Sequence, residues 1–239
     1  MNKFKTVLFV VSILLVLTFT FSCSSSGDND GGGGSGINRG SDKGNDIANY
    51  KPPVQIGDQV WMAENLNYKV DGSKCGGNDH KLYDENTINC DKFGRLYNWA
   101  TAMGIDAKYN RQMWNGSDVK HRGICPSGWH LPSNNEWQML IDFVGGVETA
   151  GTKLKATSDW NSYSGVPFGT DTYGFSAMPG GYGYSDGGFY DVGNYGDWWG
   201  ASEAGSYNAY YLIKSYYHEG AEYSNFDKDE YFSVRCLQD

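Results

Sequence analysis

The chain has 239 residues, 39% hydrophobic and 15% aromatic, with 28 acidic against 19 basic residues and a formal net charge of −9. An acidic balance of this size repels phosphate backbones, which argues against nucleic acid as a partner and leaves neutral ligands and bound cations open.

Lys3 and Lys5 precede an apolar run over residues 6–21, and Ser22, Cys23 and a polar Gly/Ser/Asp stretch follow at once. The run is short of the roughly 20 residues that span a bilayer core. A positive start, a short apolar stretch and a small residue before the cut read as a cleaved signal peptide over residues 1–22. Cys23 at the junction then reads as the lipid acceptor of a bacterial lipoprotein. A signal-anchor helix is the alternative, and the polar run after Cys23 is an odd continuation for one. Thr20 stands three residues before the cysteine, where the usual lipobox carries Leu. Acylation adds about 0.8 kcal/mol per buried methylene, so several chains would hold the protein firmly at a membrane. Loss of the leader removes Lys3 and Lys5 and leaves 17 basic against 28 acidic residues. Ser24 rather than Asp after Cys23 resembles a signal for onward transport to the outer membrane.

With Cys23 set aside, Cys75, Cys90, Cys125 and Cys236 remain. An even number in an exported chain reads as disulfides. Three pairings are open, of which Cys75–Cys90 and Cys125–Cys236 are preferred: the first closes a short loop and the second ties the middle of the chain to its end. Metal binding is disfavoured, since no CxxC occurs and His80, His121, His130 and His218 keep no ligand spacing.

Residues 23–50 are Ser, Gly, Asp and Asn with almost no apolar residue, too few to offset ordering entropy. They read as a tether with a mean reach of roughly 30 Å. Residues 51–239 are one domain by length, without internal repeats. Residues 54–62 alternate apolar and polar around Gly57-Asp58, which predicts two short strands. Residues 93–103 place Leu96, Trp99, Ala100 and Met103 at helical spacing and predict a helix. Ser133 and Glu136 form a capping box, Trp137, Leu140, Ile141 and Val144 share a face, and Gly145-Gly146 ends the run. A helix over 134–144 follows, with a shorter helical turn at 150–156.

Beyond Trp160 the chain predicts strands at 174–178, 189–192, 198–202, 207–217 and 230–236, separated by Gly-rich turns. Helices early and antiparallel strands late argue an α+β fold. The aromatic content exceeds what a core of this size needs, and Tyr207, Tyr210, Tyr211, Tyr216, Tyr217 and Tyr223 fall on both strand faces. Trp61, Trp99, Trp129 and Trp137 are expected in the core. Tyr182, Tyr184, Phe189, Tyr190, Tyr195 and Trp198 form a candidate ligand surface, with burial beneath irregular loops the equal alternative. Asp186, Asp191, Asn194 and Asp197 could wrap a calcium ion, although such mixtures are commonly plain turns. Glu64, Glu136, Glu203 and His130 are acid/base candidates. Capping already accounts for Glu136, and an ordering hydrogen bond suits His130 at a helix start.

The stretches QIGDQVWMAENLNY at 55–68, GRLYNW at 94–99, CPSGWHLPS at 125–133, GFSAMPGG at 174–181 and FSVRCL at 232–237 together resemble the Fibrobacter succinogenes major paralogous domain family. The resemblance implies an exported or surface domain of bacteria, commonly on a lipoprotein, whose activity is not established. More distantly it implies a C-type lectin-like fold, shared with formylglycine-generating enzymes. The calcium-dependent sugar motifs of C-type lectins, Glu-Pro-Asn or Gln-Pro-Asp and then Trp-Asn-Asp, have no match in this sequence. The reactive cysteine pair of the formylglycine-generating group has no counterpart either. The leading expectation is a non-catalytic binding or adhesion-type domain, tethered by lipid at Cys23, for a carbohydrate or a cell-envelope protein. An enzyme of unrecognised kind and a structural envelope protein are the alternatives.

Overall fold

The computed structural model describes residues 42–76, 81–82 and 89–239. The leader and Cys23 lie outside the described residues. Residues 42–50, the end of the segment read as a tether, pack on the domain: the Lys43 amide donates to Asn67 O at 3.0 Å, Lys43 Nζ pairs with Glu64 at 2.6 Å, and Tyr50 is buried.

Strands β1 (Val54–Ile56) and β2 (Gln59–Trp61) form the predicted hairpin around Gly57-Asp58, with Val54 opposite Trp61. Helix α1 (Asn89–Phe93), strand β4 (Leu96–Tyr97) and helix α2 (Trp99–Met103) replace the single helix predicted over 93–103. Gly94 breaks it: φ is +79°, and a side chain there would meet the backbone of Leu66 at 2.8 Å. A left-handed residue in such contact can only be glycine. Leu96 and Tyr97 then pair with β11 (Phe232–Ser233), and the ladder overrides the helical spacing of their side chains. Asn98 restarts the helix by accepting from the Thr101 amide at 2.9 Å. Between the described segments lies β3 (Lys81–Leu82).

Strand β5 (Trp129–His130) leads into α3 (Asn134–Phe143), where both halves of the capping box are made. The Glu136 amide donates to Ser133 Oγ at 3.3 Å, and the Ser133 amide donates to Glu136 Oε2 at 2.8 Å. Such a cap contributes about 1 kcal/mol. Helix α4 (Val147–Leu154) begins three residues before the predicted turn.

The second half contains β6 (Tyr182–Gly183), β7 (Gly188–Tyr190), β8 (Tyr195–Glu203), β9 (Asn208–Ser215), β10 (Glu222–Asp227), β11 and β12 (Leu237–Gln238). The fold is α+β with a strand-rich, largely antiparallel C-terminal half. Three sheets run in the orders β1-β2-β12-β5, β10-β9-β8-β11-β4 and β3-β7-β6. The strand predicted at 174–178 is absent as a strand. Ser176 has φ +51°, and the carbonyls of Phe175 and Ser176 turn to the Arg235 guanidinium instead of a ladder. The strand predicted over 230–236 shrinks to β11, because its continuation crosses between sheets. Val234 O accepts from Leu66 and Cys236 O from Met62 before β12 joins β2 and β5.

Both preferred disulfides are present. Cys75–Cys90 closes a separation of 15 residues and Cys125–Cys236 one of 111. In the chain-entropy picture loops of these sizes contribute about 3 and about 4.7 kcal/mol. The second bond anchors the crossing segment beside β12.

Alternation along β8 and β9 divides the core into two clusters. Trp199 and Tyr211 join Trp99, Trp129 and Phe232 on one face, while Trp198 and Leu212 join Trp61, Trp137 and Phe175 on the other. Trp61, Trp99, Trp129 and Trp137 are core as expected. Each large ring of this kind buries roughly 150–250 Å².

Candidate functional site

Period-two alternation places Tyr195, Asp197 and Trp199 on one face of β8. Across the ladder Tyr195 faces Ser215, Asp197 faces Ile213 and Trp199 faces Tyr211, so one sheet face carries an acid among rings. Strand β10 adds Phe226, and the loop and strand preceding β7 bring Tyr182 and Tyr184 over the top. Of these residues Tyr182, Tyr184, Tyr195, Asp197, Tyr211, Ile213 and Phe226 line a cleft of about 220 Å³, together with Asp191 and Phe232. The Phe232 ring packs against its neighbours, its centroid 4.4 Å from that of Trp199 and 4.7 Å from that of Tyr211.

Hydrogen bonds fix the walls. Tyr182 Oη donates to Asp191 Oδ2 at 3.0 Å, and Tyr195 and Tyr217 share a phenol–phenol bond of 2.7 Å. Tyr184 packs edge-on to Tyr182 at 5.4 Å and to Tyr190 at 5.2 Å. The Ser185 amide, next along the loop, donates to Glu230 Oε2 at 2.8 Å.

Asp197 differs from the other acids. It is 3% exposed, and its Oδ1 has no hydrogen-bond partner. Burial, with the nearby Asp191 charge, holds its carboxyl well above the usual carboxylate range. An orphaned buried acid at a cleft wall is what a ligand-binding position looks like before the ligand supplies a partner.

Of the six aromatic residues expected at a ligand surface, Tyr182, Tyr184 and Tyr195 line the cleft and Tyr190 stacks behind Tyr182 at 6.1 Å. Phe189 and Trp198 are corrections, since both are fully buried. Phe189 lies so close over Gly76 that a side chain there would sit 2.2 Å from the ring. Trp198 points to the opposite sheet face, where its Nε1 donates to Asn65 Oδ1 at 2.7 Å. Tyr211, named among the tyrosines on both strand faces, joins the site, and Ile213, Phe226 and Phe232 complete it without having been singled out. The alternation of Tyr195, Asp197 and Trp199 was the available signal, because a lone acid on an aromatic strand face contradicts ordinary core patterning.

The four calcium candidates do not assemble as ligands. Asp186 is exposed and accepts from the Gly188 amide at 2.8 Å, the plain turn that was the alternative. Asp191 accepts from Asn194 Nδ2 at 3.1 Å, Asn194 Oδ1 accepts from Asn161, and Asp197 shares the cleft with Asp191 but is not bonded to it. Among the described residues no group of three or more His, Cys, Asp and Glu is placed to hold a metal ion.

The acid/base candidates are engaged structurally. Glu64 accepts from Lys43 and the Lys51 amide, and Glu203 pairs with buried Lys228 while accepting from the amides of Trp114 and Asn115. His130 bonds Glu136 at 3.0 Å and Asp239 at 2.8 Å. Burial works against its protonation, but the two carboxylates outweigh it and raise its pKa. All four cysteines among the described residues are in disulfides and offer no thiolate.

The family described as Fibrobacter succinogenes major domain matches the chain over residues 54–238. No curated protein and no solved structure matches it. Of the motif residues, Asn65, Phe175, Ser176 and Arg235 meet in one buried hydrogen-bonded cluster, and Phe232 lines the cleft. No helix among the described residues is long and apolar enough to cross a membrane.

Proposed function

The chain belongs to the Fibrobacter succinogenes major domain family, and from that premise we propose a non-catalytic binding domain that receives a carbohydrate or protein ligand in the tyrosine-lined cleft. The observation that carries this reading is the juxtaposition of Tyr182, Tyr184, Tyr195 and Tyr211 with the unpartnered carboxyl of Asp197. Ring faces stack on sugars and anchor side chains, and a few convergent polar groups fix orientation. The non-catalytic character is supported by the fates of Glu64, Glu136, Glu203, His130 and the cysteines, each spent on capping, ion pairing or cross-linking.

The proposal places the domain at the bacterial cell envelope, at the outer membrane, held by lipid on Cys23 after cleavage of residues 1–22. It also assigns a C-type lectin-like scaffold. That assignment rests on the family resemblance, on the N-terminal hairpin pairing with β12, and on a disulfide-tied crossing segment between sheets.

Retention of the purified protein on immobilised bacterial glycans and envelope proteins tests the reading. Wild type is retained, and the double variant Tyr184→Ala with Tyr195→Ala is not, while its thermal unfolding stays near wild type. Equal retention of a folded double variant would remove the cleft from the account.

A further inference from the structure

The cleft combines ring faces with acids and lacks any basic side chain, and we infer that it takes an organic ammonium group, held over the tyrosine faces and against the carboxyl of Asp197. This inference deepens the binding reading above and rests on it. None of the lining residues is Lys, Arg or His. The sign of the site is therefore set by Asp191 and Asp197. Asp191 is already engaged by the Tyr182 phenol and the Asn194 amide, whereas Asp197 Oδ1 has no partner at 3% exposure.

A neutral hydroxyl could satisfy that oxygen while its sugar ring stacks on the tyrosines, but it would bring no counter-charge to the enclosed acid. The negative face of an aromatic ring attracts a cation, and the attraction strengthens when water is excluded. Four tyrosines and two phenylalanines around one buried acid supply both contacts at once. Some carboxylates elsewhere on the domain have internal cations, such as Glu203 with Lys228 and Glu64 with Lys43. Asp197 has none.

Burial, with the Asp191 charge nearby, raises the carboxyl of Asp197 well above the usual carboxylate range. An arriving ammonium supplies the counter-charge that this enclosed, unpartnered carboxyl lacks, and an ammonium–carboxylate pair results. The titratable groups on that face are Asp191, Tyr182 and Tyr184 above it, Tyr195 beside it, Tyr211 on β9 and Glu222 on β10.

Calorimetry on the purified full-length protein in detergent micelles tests the inference with two matched pairs: choline against its uncharged tert-butyl isostere, and glucosamine against glucose. The first pair probes an alkylated ammonium and the second an amino sugar. At least one cation should bind about tenfold more tightly than its neutral partner. Asp197→Asn should abolish that preference while the protein remains folded, and Asp191→Asn should weaken it less. Neutral partners binding as well as the cations, with loss in the Tyr184→Ala and Tyr195→Ala double variant, would overturn the ammonium inference and keep the binding reading. Binding of neither cation would also overturn it, and retention on immobilised ligands would then decide the binding reading separately.

Discussion

Asn65 Oδ1 accepts from both Nε and Nη2 of Arg235, at 3.1 and 2.7 Å, across a separation of 170 residues. The same oxygen takes the Trp198 indole N–H at 2.7 Å. Arg235 is fully buried without a carboxylate. Its charge is instead met by Asn65 and by the carbonyls of Met62, Phe175 and Ser176, and its guanidinium lies 4.4 Å over the Phe175 ring. Three of the five sequence motifs thus converge on one cation that organises the core.

Removing that acceptor should therefore be severe. Asn65→Ala leaves two guanidinium donors and an indole donor buried without their partner, and breaking a buried charged network in this way costs about 3–5 kcal/mol. Arg235→Lys should fail to rescue the fold, because an ammonium cannot reproduce the planar fork. Urea denaturation checks both. A loss within about 0.5 kcal/mol for Asn65→Ala, the usual size of an ordinary surface change, would contradict the hub.

The aromatic residues separate by the same measurement. Phe189→Ala and Trp198→Ala should each cost about 3–5 kcal/mol as core truncations. Tyr184→Ala should cost less, since its ring is only partly buried, at the cleft. Equal losses for all three would place Tyr184 in the core as well.

Glu230 links pH to the loop that carries Tyr184. Burial, with Asp227, Asp186 and Asp229 nearby, raises its carboxyl to about 7, against the opposing pull of the Ser185 amide. The folded state thus holds a proton that the unfolded chain has released above the ordinary value of 4.5. Stability from this group falls as pH rises from 4.5 through about 7. Glu230→Gln should flatten that part of the profile of unfolding free energy against pH, and an unchanged slope would show that Glu230 does not titrate there.

Lys214 gives the opposite sign. It is fully buried on β9, its Nζ lacks a partner, and burial followed by Lys155 lowers its pKa well below 10.5. Below 10.5 the unfolded chain holds a proton that the folded state gives up, so this contribution to stability grows as pH rises toward 10.5. Lys214→Met should raise stability near neutral pH by about 1–3 kcal/mol, the desolvation cost of an unsatisfied buried group. Destabilisation on equilibrium unfolding would mean that the amine has a role in the fold.

Local signals were legible wherever one segment decided its own structure. Ser133 and Glu136 announced α3, Gly57-Asp58 announced the first hairpin, and the cysteine spacings favoured the two bonds that are present. Signals failed where distant partners decided. Leu96 and Trp99 keep helical spacing, yet Leu96 is taken by β11 and Gly94 fits only against Leu66. Residues 222–227 are too polar to read as a strand, because β10 is an edge that buries little. The cleft was half visible: its tyrosines stand out by composition, whereas the burial of Phe189 and Trp198 depends on Gly76 and Asn65, far away in sequence. Asp197 was noticed as an oxygen donor, and only the pairing of β8 with β9 reveals it as an acid enclosed by rings.

Fluorine NMR on protein carrying fluorotyrosine, titrated with choline and with glucosamine, most directly tests the claim that the ligand enters beside Asp197. The account predicts that resonances of Tyr182, Tyr184, Tyr195 and Tyr211 shift saturably while those of buried Tyr50 and Tyr97 stay fixed. Shifts confined to other tyrosines, or none at saturating cation, would contradict it.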